Sequence, residues 1–125
     1  MAASKKRPVY LNLIKIRLPV TGVVSILHRV SGVLLVLLLP VLLYFFDLSL
    51  TDPEAFAICR GLFTGWFGRL LVFGVVWLFV QHFYSGIRHL LLDLDFWITR
   101  EQSRATAWIA FVVAFATVAL LEVLV

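Results

Sequence analysis

Three long apolar runs, at about residues 20–46, 62–92 and 105–125, dominate this chain. A helix that crosses a bilayer needs roughly 20 such residues. A soluble fold of this length would have to cover its core with polar surface, yet 62% of the 125 residues are apolar, 14% are charged and mean hydropathy is +1.03. That leaves too little polar material for the purpose. The expectation is an all-α membrane protein with three transmembrane helices, forming one membrane-anchor domain over residues 1–125. No room remains for a separate soluble catalytic domain, so chemistry on soluble substrates would fall to partner subunits.

Charge sets the expected orientation. Residues 1–19 carry Lys5, Lys6, Arg7, Lys15 and Arg17 and no acid, a cytoplasmic signature that also suits anionic headgroups. Pro8 and Pro19 interrupt helix formation there, while Leu11, Ile14 and Leu18 at helical spacing allow a short surface piece. The segment 47–60 sets Asp47, Asp52 and Glu54 against Arg60, with a turn signal at Thr51, Asp52 and Pro53, and reads as the outer loop. The connection from Phe96 to Arg104 returns to the cytoplasm with Arg100 and Arg104, which puts the C-terminus in the periplasm. The first apolar run is too long for a signal-peptide core and is expected to stay in the mature protein. Cys59, alone, forms no internal disulfide and fits no metal-ligand spacing, so it reads as a small buried hydrophobe. Pro40 is expected to bend its helix, and Gly61, Gly65 and Gly68 either permit close helix contact or are ordinary membrane-helix glycines. The third run, with Glu122 near its end, offers no chemical candidate.

Gln81–Asp93, QHFYSGIRHLLLD, concentrates the ionisable groups. On a helix His82, Ser85, Gly86, His89 and Asp93 share one stripe. Such groups inside a span commonly cost ~2.5–3.5 kcal/mol or more, so they face a bundle interior, a cavity or a cofactor. With the inner end near Asp93, His82 lies ~16 Å and His89 ~6 Å deep at 1.5 Å per residue. An imidazole as deep as His82 needs a strong partner, and a haem iron accepts one as axial ligand. Gly86 leaves a notch for a flat macrocycle, and Arg88 and His89 stand at the depth of haem propionates. The competing reading is that His82 and His89 hydrogen-bond between helices. One helix face cannot ligate both sides of one haem, so the second ligand comes from another chain, or from His28 if the first helix sits deeper than the shallow position its residue count gives.

Ser25, His28, Arg29 and Gly32 share one side of the first helix. A hydroxyl and a permanent cation beside an apolar wall suit the carbonyls of a quinone and the negative charge that develops on reduction. The competing reading, which the residues alone favour, is that Arg29 snorkels to phosphate and Ser25 caps or packs.

The segments RPVYLNLIKIRLPVTGVVSILHRVSGV and HFYSGIRHLLLD resemble the two signature regions of the cytochrome b556 subunits of bacterial succinate dehydrogenase, the larger membrane anchor of respiratory complex II. The shared pattern is an early Arg-Pro, a Ser-Ile-x-His-Arg-x-Ser-Gly run opening the first helix, and a His-x-x-x-Gly-Ile-Arg-His-x-x-x-Asp run closing the second. The resemblance implies that His82 is an axial ligand of haem b, shared with a second hydrophobic anchor subunit that supplies the other ligand. It implies that Ser25 and Arg29 bind ubiquinone, that His28, Arg88 and His89 lie near the propionates, and that Asp93 belongs to a quinone-side network. Gln81 stands where an enterobacterial relative has an aromatic, a difference expected in packing. The implied partners are that anchor, an iron–sulfur subunit, a flavoprotein subunit and membrane lipid, with no nucleic acid, in the bacterial inner membrane as a multi-pass protein. Succinate oxidation would occur at a flavin in a partner. A fumarate reductase or menaquinone-linked anchor, or a purely structural anchor without haem, is the alternative.

Overall fold

The structure, a computed structural model, describes residues 17–124. The expected basic patch of Lys5, Lys6, Arg7 and Lys15, and the surface piece around Leu11 and Ile14, lie outside the described residues. Four helices follow in order: α1 Val20–Ser49, α2 Pro53–Thr64, α3 Trp66–Asp93 and α4 Arg100–Leu124. Of these, α1, α3 and α4 are long and apolar enough to cross a membrane. The all-α, three-span expectation therefore holds. At 1.5 Å per residue the 30 residues of α1 reach roughly 45 Å, beyond a ~30 Å hydrocarbon core, so the helix ends extend into the interfacial layers.

The acidic segment read as an open loop is largely helical. Asp52 caps α2, its Oδ1 accepting from the Ala55 amide at 2.8 Å, with Pro53 in the first turn and Glu54 behind it. These residues are a helix-start signal; the turn reading covered only the cap. A buried Cys59 points its Sγ at the Phe45 carbonyl, 3.9 Å away, and Phe63 meets Phe45 edge-on at 5.2 Å between centroids. These contacts fold α2 back on the end of α1. Of the three glycines Gly61, Gly65 and Gly68, Gly65 is the extended link between α2 and α3. A Cβ on Gly68 would run into the Leu62 carbonyl, whereas Gly61 faces open space. The chain can reverse here because position 68 has no side chain.

Helix α1 continues through Pro40, which leaves the Val36 carbonyl without its helical donor. At the other end of the bundle, α3 closes in a Schellman arrangement. Asp95 takes the left-handed conformation (φ 61°), the Phe96 amide donates to the Leu91 carbonyl and the Asp95 amide to the Leu92 carbonyl, each at 3.0 Å. That motif satisfies orphan carbonyls at the helix end. Arg100 and Arg104, expected in a loop, already lie in the opening turns of α4.

α3 and α4 pack through small residues. Ala107, Ala110, Ala114 and Val118 form a buried stripe on α4, and Ala114 and Val118 meet Val80, with Phe73, Val76, Trp77 and Tyr84 around them. Helices in lipid gain little from hydrophobic burial against each other, so a strip of small side chains that lets the backbones approach provides the association.

Candidate functional site

His28, His82 and His89, all the histidines of the chain, come together between α1 and α3. The rings of His28 and His82 stack with centroids 4.2 Å apart and 7° between planes, and His28 lies 5.1 Å from His89 at 53°. Counting residues from the helix start set His28 apart from His82 as a shallow residue, and the structure corrects this. The cause is a reciprocal pair of notches. A Cβ on Gly32 of α1 would lie 2.9 Å from Cε1 of His82, and one on Gly86 of α3 would lie 3.3 Å from Nε2 of His28. Each histidine lies in the space left by the glycine opposite, and this brings the two helices into register. The Gly86 notch, expected to receive a macrocycle, is filled by the His28 ring.

The two nitrogens of His82 are treated differently. Nδ1 lies 3.0 Å from the His28 carbonyl oxygen and 3.1 Å from Oγ of Ser31, a serine that is 2% exposed. An Nδ1 held against a carbonyl at this distance carries the proton, because a bare nitrogen would set lone pair against lone pair. Nε2 has no hydrogen-bond partner among the described residues, and the ring stays partly exposed. An imidazole whose Nδ1–H is donated to a backbone carbonyl offers Nε2 as a metal donor. The donor set thus fits an axial haem ligand.

The rest of the expected stripe divides. Ser85 is fully buried and accepts from Nε2 of Gln81 at 3.0 Å, leaving Oε1 of the 1% exposed Gln81 without a hydrogen-bond partner among the described residues. Gln81 is therefore an interior polar residue. The structure does not bring Arg88 to the histidines. Its guanidinium turns to α4, where Nη2 donates to Oγ and the carbonyl oxygen of Ser103 at 3.0 Å each and Nε donates to Oγ1 of Thr106 at 3.2 Å. Position 88 lies one residue from His89, which on a helix is about 100° around the axis, and that rotation sends it to the other neighbour. Tyr84 reaches the same helix, with its hydroxyl 3.2 Å from Oγ1 of Thr117. α4, read as chemically empty, supplies the hydroxyls that hold Arg88 and Tyr84. Ser25 is half-buried on α1, Arg29 is exposed one turn on, and Asp93 is exposed at the end of α3, one turn beyond His89.

The sequence reading missed Ser31. It lies in the LHRVSG run, but its role depends on a ring from another helix, and no spacing within α1 signals that.

Fold and site together define a multi-pass helical membrane protein that gathers its imidazoles between two spans, with one ring nitrogen prepared as a donor. Residues 3–121 match the family described as succinate dehydrogenase/fumarate reductase transmembrane subunit. The succinate dehydrogenase cytochrome b556 subunit of Coxiella burnetii is 36% identical over 92% of this chain and 93% of its own length. That of Paracoccus denitrificans is 29% identical over 81% and 78%, and that of Rickettsia felis 28% identical over 94% and 92%. The chain belongs to the succinate dehydrogenase/fumarate reductase transmembrane subunit family. Its three apolar helices are those of a multi-pass protein of the bacterial inner membrane.

Proposed function

We propose that this chain is the haem b-binding membrane anchor of a succinate:ubiquinone oxidoreductase, holding the flavoprotein and iron–sulfur subunits at the membrane and forming part of the quinone-reduction site. The observation that carries the reading is the state of His82, with Nδ1–H tied to the His28 carbonyl, the ring set against Gly32, and Nε2 left as a donor. The name its relatives carry, cytochrome b556 subunit, agrees with a haem b.

In this reading Nε2 of His82 would hold the haem iron, together with a ligand from the second hydrophobic anchor subunit. That partner covers part of α1, whose apolar residues Val33, Val36 and Leu37 are more than half exposed. Bound haem b would supply a one-electron redox centre beside the quinone. His28 and His89 stand next to the ligand and offer ring nitrogens to the propionates. Arg88 acts at one remove: its bonds to Ser103 and Thr106 hold α4 against the helix that carries His82 and His89. Arg29 keeps its charge at every accessible pH and, with the Ser25 hydroxyl, orients the quinone carbonyl and stabilises negative charge as it is reduced. Asp93 closes the same end of α3 and belongs to the quinone-side network. The N-terminus is cytoplasmic and the C-terminus periplasmic, as the basic first segment requires.

The test is a dithionite-reduced minus oxidised absorption spectrum of the complex purified through this chain, wild type beside His82→Ala. The expected result is a b-type haem signal in the wild type that is lost or altered in the variant while the partner subunits still copurify. An intact wild-type complex without that signal overturns the ligand assignment.

A further inference from the structure

Ser31 lies at the centre of a closed triangle of polar atoms. Its Oγ is 3.0 Å from the His28 carbonyl oxygen and 3.1 Å from Nδ1 of His82, and Nδ1 is itself 3.0 Å from the same carbonyl. The triangle lies at the α1–α3 contact, with Ser31 2% exposed and His28 and His82 half-buried. Two protons must be shared among three edges, and one arrangement avoids facing lone pairs. The Ser31 hydroxyl donates to the His28 carbonyl, and the His82 Nδ1–H points between that carbonyl and the Ser31 oxygen, which both accept. Were the hydroxyl turned to donate to a bare Nδ1, the carbonyl would face a nitrogen lone pair at hydrogen-bond distance. The serine thus does two things: it supplies a second acceptor for Nδ1–H, and it narrows the arc through which the ring can swing.

We propose that Ser31 is a positioning residue for the haem ligand, fixing the His82 imidazole in the Nδ1–H tautomer and in one orientation so that Nε2 is presented to the iron. The inference rests on the haem reading above and goes beyond it by naming the residue that sets ligand geometry. The His28 carbonyl alone permits rotation about the ring's hydrogen bond; two acceptors at 3.0 and 3.1 Å define a direction. Partners of this kind typically change metal affinity by about 10–100-fold when removed, because a ligand free to reorient must be ordered at the moment of binding.

The experiment uses the purified assembled complex with Ser31→Ala and Ser31→Thr beside wild type. Haem content per complex, the midpoint potential of the haem and the low-field signal of the low-spin ferric haem in electron paramagnetic resonance are measured. That signal responds to the orientation of the His82 imidazole plane as a ligand and is not moved by a merely structural serine. Ser31→Ala removes one atom from a buried site and keeps the fold, so the complex assembles. It is expected to hold haem about tenfold less tightly, with a displaced low-field signal and a shifted midpoint. Ser31→Thr, which keeps the hydroxyl, restores all three. Wild-type haem content, signal and midpoint in Ser31→Ala overturn the proposal, as does a Ser31→Thr complex that behaves like Ser31→Ala. A wild-type complex without b-type haem fails the underlying reading instead, so the two failures are distinguishable.

Discussion

Gly32→Ala tests the geometry of the cluster most directly. The added Cβ would lie 2.9 Å from Cε1 of His82, whereas carbon pairs are at ease at about 3.5–4.0 Å. The ring or the helix must therefore give by about 0.6 Å or more. His82 cannot retreat freely, because its Nδ1 is held at 3.0 Å by the His28 carbonyl on the same helix that carries the new methyl. A retreat of that size takes the bond to about 3.6 Å, past the length at which it counts as one. Overpacking costs about 1–3 kcal/mol and the lost hydrogen bond about 0.5–1.5 kcal/mol. The helix preference of alanine over glycine returns about 1 kcal/mol. The net expectation is about 0.5–3.5 kcal/mol of destabilisation, together with displacement of the ring that offers Nε2. Two internal controls grade the effect. Gly86→Ala meets His28 Nε2 at 3.3 Å and needs a shift of a few tenths of an ångström, and Gly74→Ala meets nothing within 4 Å. The assay is the thermal midpoint of the purified complex together with haem content from the reduced-minus-oxidised spectrum, expected in the order Gly74→Ala above Gly86→Ala above Gly32→Ala. Equal stability and haem content for Gly32→Ala and Gly74→Ala would refute the interlock.

Arg88→Leu removes three hydrogen bonds from the α3–α4 contact and should lower stability by about 2–4 kcal/mol, read as a drop in thermal midpoint, while any complex that assembles keeps its haem spectrum. Arg29→Ala should weaken quinone reduction while succinate oxidation by an artificial soluble acceptor stays nearly intact; equal loss of both activities would indicate failed assembly, and unchanged quinone reduction would count against a quinone role. Asp95→Gly relieves a left-handed non-glycine residue at the end of α3 and should raise stability by about 0.5–1 kcal/mol, visible as a higher thermal midpoint. Ala114→Leu puts a large side chain into a fully buried position against α3 and should cost about 1–3 kcal/mol, with a lower thermal midpoint and a disturbed Tyr84–Thr117 contact in the tyrosine's fluorescence.

The sequence determined that this chain crosses a membrane three times and which stretches do so, because bilayer insertion depends on summed side-chain hydropathy over a fixed length and little on what packs where. It also singled out the residues with chemistry to offer, since an imidazole or guanidinium within an apolar run costs too much to be incidental. What it left open was which of them meet. Asp52, Pro53 and Glu54 held a helix-start signal, yet the acidic composition of the segment pointed to a loop. His82 and His89 share a stripe by simple periodicity, but His28 joins them only because Gly32 and Gly86 set the register between α1 and α3, a relation that exists between helices and not along either one. Arg88 shares its neighbourhood in sequence with His89 and its contacts with α4, since one residue is about 100° of rotation. Ser31 gains its partner from a residue 51 positions away. Periodicity along a single helix fixes which residues share a face, whereas the choice of neighbour for that face depends on close packing between backbones, which the tertiary structure alone decides.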